Sequence, residues 1–141
     1  MSTGGPTPGS MSLVITIVDG GHTLRRLLHA VRAQVGAPPL QILAPYDDSR
    51  PDIGALAAEF PEVDFFSIGS VQTGHPINSA GGQHELFDRR RAAGLKRSTG
   101  DLVAILEDRA PPRSDWCATM ARLHAELPHA VMGGAIESAS T

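Results

Sequence analysis

The sequence predicts an α/β fold: a mostly parallel sheet with helices on both faces. Three apolar runs carry that expectation. The run from Ser12 to Val18 discharges into Asp19-Gly20-Gly21, the run from Leu40 to Ala44 into Pro45-Tyr46-Asp47-Asp48-Ser49, and the run from Leu102 to Leu106 into Glu107-Asp108-Arg109. Each run is followed by a helical pattern, and strands alternating with helices build parallel sheets. Such sheets bind ligands outside the carboxyl ends of their strands, so the repeated acidic endings predict one shared functional edge.

The elements follow in chain order. Residues 1–10 contain three Gly, two Pro, two Ser and two Thr, too little apolar surface to repay ordering, and read as a flexible tail. Met11 directly precedes the first strand, so an alternative start there is expected, and residues 11–141 form the domain. Leu24, Leu27, Leu28, Val31 and Val35 make one helical stripe, ended by Gly36-Ala37-Pro38-Pro39. After the second strand Asp52 reads as the N-cap of a short helix ending near Glu59, before Pro61. A third strand is expected from Val63 to Ile68, with right-handed crossovers.

The stretch from Gly69 to Gly82, with four Gly and one Pro, reads as a long loop. A helix is expected from near Gln83 through Leu86, Phe87, Arg91 and Leu95 to Ser98, with Gly100 as the break. The strand from Leu102 to Leu106 reads as buried, and a helix opened by Ser114 carries the stripe Trp116, Met120, Leu123, Leu127. A last strand is expected from Ala130 to Ile136, including Gly133-Gly134.

Composition bounds the function. The chain has 141 residues, enough for one domain with a real core, and its 41% hydrophobic and 19% charged content fits a globular protein rather than a disordered one. Net charge is −3, which gives no electrostatic case for nucleic acid or an anionic membrane. Cys117 is the only cysteine, so no internal disulfide or cysteine-rich zinc site is expected. The first apolar run is far short of a membrane span and lacks a signal peptide's basic flank. A cytoplasmic protein is expected.

These residues resemble a known family. Ser12 to Arg26 resembles the opening strand and helix of family 2 glycosyltransferases, and Tyr46-Asp47-Asp48-Ser49 resembles the acidic turn after their second strand. Arg90-Arg91-Ala92-Ala93-Gly94-Leu95 is similar to their Ala-Arg-Asn-x-Gly-Leu helix. Gly100-Asp101 through Glu107-Asp108-Arg109, with Pro112 and Trp116, is similar to the stretch around their Asp-x-Asp motif, and Gly133-Gly134 to the glycine pair after it. The resemblance runs from Ser12 to about Glu137 and implies a GT-A fold, whose Rossmann-like sheet binds a nucleotide-sugar donor, usually with a divalent metal such as Mg or Mn. By position, Val18 and Asp19 would line the base and ribose pocket, Asp47 or Asp48 would contact the nucleobase, and Arg91 would lie near the diphosphate. Glu107 and Asp108 would face ribose and metal, with Asp108 the metal ligand.

The chemistry asks for such groups. Expelling a nucleoside diphosphate from an anomeric carbon builds negative charge, which a cation held by carboxylates or a fixed guanidinium stabilises. Arg109 stands where the family commonly has the last metal-binding acid, so it either supplies the cation's charge itself or marks a donor site without metal. Ala92 replaces the usual Asn and Thr16 the usual Pro. The family's general base usually comes from the later half of the domain, so the chain is expected to hold the donor-binding part without the acceptor part, and to transfer no sugar alone.

Plainer readings stand beside these. Asp47-Asp48 also suits a turn before Pro51, and Arg89, Arg90, Arg91, Lys96 and Arg97 largely suit a solvated helix face on which only Arg91 has a positional reason to meet the site. The six histidines lack metal spacing, and Trp116, Met120 and Cys117 suit packing. The alternative function is a non-catalytic module of the same fold that pairs with a second polypeptide or with itself through an exposed apolar patch. A receiver-like signalling domain using Asp47, Asp48 and Lys96 fits less well, because such domains place their paired acids after the first strand.

Overall fold

The computed structural model describes residues 9–127 and 132–133. Four strands, β1 (Met11–Thr16), β2 (Leu40–Tyr46), β3 (Val63–Ser67) and β4 (Leu102–Glu107), form one all-parallel sheet in the order β3-β2-β1-β4. The helices are α1 (Gly21–Arg32), α2 (Ala80–Arg97) and α3 (Trp116–Glu126), and a 3₁₀ turn covers Ile53–Ala58. The predicted α/β fold is what forms. Strand order runs outward from β1 to β3, then reverses to β4, so the ends of β1 and β4 flank a topological switch point.

The reversal decides where the helices lie. Met11, Leu13, Ile15 and Ile17 turn to one face of the sheet and share a core with Leu24, Leu27, Leu28 and Val31 of α1 and Cys117 and Ala121 of α3. Residue alternation sends Ser12, Val14 and Thr16 to the other face, where α2 packs on β1 and β2. There Gly94 lies against Val14, and a Cβ at Gly94 would overlap Val14 Cγ1. Both faces of β1 are thereby covered, and all six of its residues are buried.

Several expectations shift. Val35 lies beyond the end of α1 and is 68% exposed, because the helix stops at Arg32. The segment capped by Asp52 is a 3₁₀ turn, and the Asp52 carboxylate bonds Arg50 instead of capping it. α2 starts at Ala80, earlier than expected, because the Ser79 hydroxyl accepts the Gly82 N–H and offsets the two glycines of its first turn. On α3 the buried stripe is Cys117, Ala121 and Ala125, one residue round from the expected stripe; small side chains bring the helix close, and Trp116 and Met120 pack at its flank while Leu127 is exposed. β4 is buried on one face only: α2 rests over β1 and β2, leaving Val103 39% and Ile105 46% exposed. Gly9 and Ser10 of the expected tail are tied to Asp101, whose carboxylate accepts the Gly9 N–H and whose N–H donates to the Ser10 hydroxyl. The strand expected from Ala130 to Ile136 lies, apart from Met132 and Gly133, outside the described residues. Among the described residues no helix is long and apolar enough to cross a membrane.

The close approach of α2 to β1 gives a direct test. Gly94→Val forces a branched side chain into Val14 and is expected to lower the unfolding free energy by about 2 kcal/mol, measured by urea denaturation. Val14→Ala in the same chain opens the needed space and should recover part of that loss.

Candidate functional site

The acidic turns after β1, β2 and β4 meet at the carboxyl edge of the sheet. Asp108 follows β4 and is fully buried. Its Oδ2 accepts the backbone N–H groups of Val18, Asp19 and Gly20 at 3.1, 3.0 and 2.7 Å, and Oδ1 lies 3.3 Å from the Asp19 nitrogen. Three successive N–H groups converging on one anion form a nest of the kind that elsewhere cradles phosphate. Here the chain's own carboxylate occupies it.

A second buried charge holds the neighbouring turn. Arg90 of α2 is 1% exposed, and its Nε donates to Asp47 Oδ2 at 2.6 Å, its Nη1 to the Ile17 carbonyl at 2.7 Å and its Nη2 to Ser49 Oγ at 3.2 Å. Asp47 Oδ1 accepts the Ser49 N–H at 2.8 Å. Burial pushes the Asp47 carboxyl up, but the hydrogen bonds from Ser49 and Arg90 outweigh it and hold it below the usual carboxylate range. One guanidinium thus joins α2 to the ends of both β1 and β2.

The rim is more open. Arg109 Nε and Nη2 each donate to an Asp19 carboxylate oxygen at 2.8 Å, with side chains 58% and 42% exposed. Hydrogen bonding from Arg109 holds the Asp19 carboxyl below its ordinary range. Arg50 Nη2 donates to the Asp19 carbonyl at 2.9 Å, and its fork also engages Asp52. That approach depends on Gly20, at φ 68°, where a Cβ would collide with the Arg50 guanidinium.

The sequence-predicted residues divide accordingly. Val18, Asp19, Asp47, Asp108 and Arg109 are brought together, and Asp48 and Glu107 lie exposed beside them. Asp48 donates its N–H to the Gly69 carbonyl, and Glu107 adds to the negative field around Arg109. Arg91 does not join the cluster; it pairs with Asp88 on the surface of α2 at 3.0 Å. The expectation of a solvated arginine face therefore fails at Arg90. Arg90 lies with Leu86 and Gly94 at i, i+4, i+8 on the stripe α2 buries, but Phe87, Arg91 and Leu95 share that spacing, so only the docking of α2 separates the two.

The oxygens of Asp108 accept three N–H groups in a buried setting, so the carboxylate does not present itself to a metal ion. Among the described residues no three His, Cys, Asp or Glu side chains gather into a set that could hold one. Burial pushes the Cys117 thiol up to about 11, so it is protonated at neutral pH and suits packing.

Arg90→Met leaves Asp47 charged and uncompensated and should cost about 3–5 kcal/mol, whereas Arg91→Met on the helix surface should cost less than about 0.5 kcal/mol, both by urea denaturation. Asp47 has a depressed folded pKa, so its contribution is complete above the unfolded value of about 3.9 and is lost as pH falls through the folded one. Stability should drop on acidification below about pH 4, and Asp47→Asn, less stable at pH 7, should show a shallower drop.

No protein-family model matches this chain, and no curated protein matches it.

Proposed function

We propose that the carboxyl edge at the β1/β4 switch point binds the diphosphate of a nucleotide sugar, as the donor-binding part of a family 2 type glycosyltransferase, and that this chain alone transfers no sugar. The observation that carries the reading is the convergence of three strand-end turns on one edge whose rim bears Arg109 and Arg50. The resemblance of those turns to the family's donor-site segments points the same way. In this reading Arg109, with Arg50 behind it, meets the phosphate charge, and a guanidinium suits the paired oxygens of a phosphate. Asp47 and Asp108 act one layer below, holding the backbone on which the ligand rests.

A second reading has its own observation. Leu95, Val103 and Ile105 leave apolar surface 42%, 39% and 46% exposed on α2 and the adjoining face of β4, as expected for a non-catalytic module that pairs with another chain or with itself.

Titration calorimetry with uridine and guanosine diphosphates at low salt, with and without manganese, separates the two. Binding by the wild type that Arg109→Gln weakens by about tenfold or more, with little dependence on manganese, supports the donor site. Absence of nucleotide binding together with a dimer in sedimentation supports the module, and a monomer that binds no nucleotide overturns both. Sugar transfer by the purified chain alone would contradict its lack of activity.

A further inference from the structure

We propose that Asp19 is the resident counter-ion of the Arg109 anion site: its carboxylate occupies the guanidinium fork until a phosphate displaces it. The inference rests on the reading that a diphosphate binds at this edge, and it adds what holds the site beforehand.

Three observations lead to it. The backbone nest after β1, the other anion-binding device at this edge, is filled by the carboxylate of the fully buried Asp108, so an incoming anion must be met by side-chain cations. Of the two at the rim, Arg50 is divided between Asp52 and the Asp19 carbonyl, and its side chain is only 26% exposed. Arg109 is 58% exposed, and the Nε and Nη2 it presents, each 2.8 Å from Asp19, are the pair a phosphate would engage side by side.

The remaining contacts suit exchange. The Asp19 N–H is fixed by Asp108 and its carbonyl by Arg50, so the backbone stays in place while the carboxylate swings out on its own side-chain torsions. An exposed ion pair is screened and weak, which makes it replaceable by a ligand of higher charge. No covalent bond changes; one oxyanion takes the place of another on the same guanidinium. Affinity for the free anion is then set by the difference between the ligand and Asp19 on Arg109, not by Arg109 alone.

A double-mutant cycle with inorganic pyrophosphate as the probe, read by calorimetry at low salt with circular dichroism as the check on folding, tests this. Asp19→Asn is expected to tighten pyrophosphate by about tenfold relative to wild type. Because that gain passes through Arg109, D19N in an R109Q background should bind no better than R109Q itself. An equal gain in both backgrounds would show that Asp19 acts only through general repulsion and would overturn the proposal, as would a wild type that binds pyrophosphate and is unaffected by D19N. Failure of every variant to bind, D19N included, would overturn this proposal and the diphosphate reading together, whereas the first two outcomes leave that reading standing.

Discussion

The carboxyl edge of this protein is organised around a buried guanidinium. Arg90 leaves α2 on its apolar side and reaches the Ile17 carbonyl at the end of β1 together with Asp47 and Ser49 after β2. A charge in that position is tolerable only because carboxylate, carbonyl and hydroxyl all receive its protons. The same condition fixes geometry: α2 cannot slide along the sheet, and the turn after β2 cannot drift from the end of β1, without stranding a charge. The approach of Gly94 to Val14 one helical turn on sets the height of α2 above the sheet, so packing and polar contacts specify the same placement.

Asp108 performs the corresponding task across the switch point. Its carboxylate gathers three N–H groups from the turn after β1, while its own N–H continues the ladder to the Thr16 carbonyl. β1 is thus fastened to β2 through Arg90 and to β4 through Asp108, both beyond the last regular strand residues. Loops at strand ends would ordinarily be the mobile part of an open sheet; here a buried ion pair and the hydrogen bonds of a buried carboxylate hold them. The more open polar groups of this edge include Asp19 with Arg109 and Arg50 on the rim, and the exposed Asp48 and Glu107.

The two faces of the sheet are unequal. α1 and α3 cover one, while α2 lies over β1 and β2 on the other and leaves β4 apolar and partly exposed. Thr16 Oγ1, on the incompletely covered side, is the buried side-chain polar atom that lacks a hydrogen-bond partner among the described residues.

Read alone, the sequence determined the class of fold, the four strands of the described residues with the acidic endings of three of them, and that those endings share one edge. These follow from local periodicity and from the rule that strands joined by helices run parallel, which one chain displays without knowledge of its neighbours. It did not separate acids that face solvent from acids that hold the backbone: Asp19, Asp47 and Asp108 look alike in sequence, yet one lies on the rim and two are buried. Nor did it pick Arg90 over Arg91, although neighbouring helix positions sit about 100° apart and only one of them can face the sheet. Tertiary structure decided both, because the partner of a buried charge lies tens of residues away, and burial depends on where α2 comes to rest.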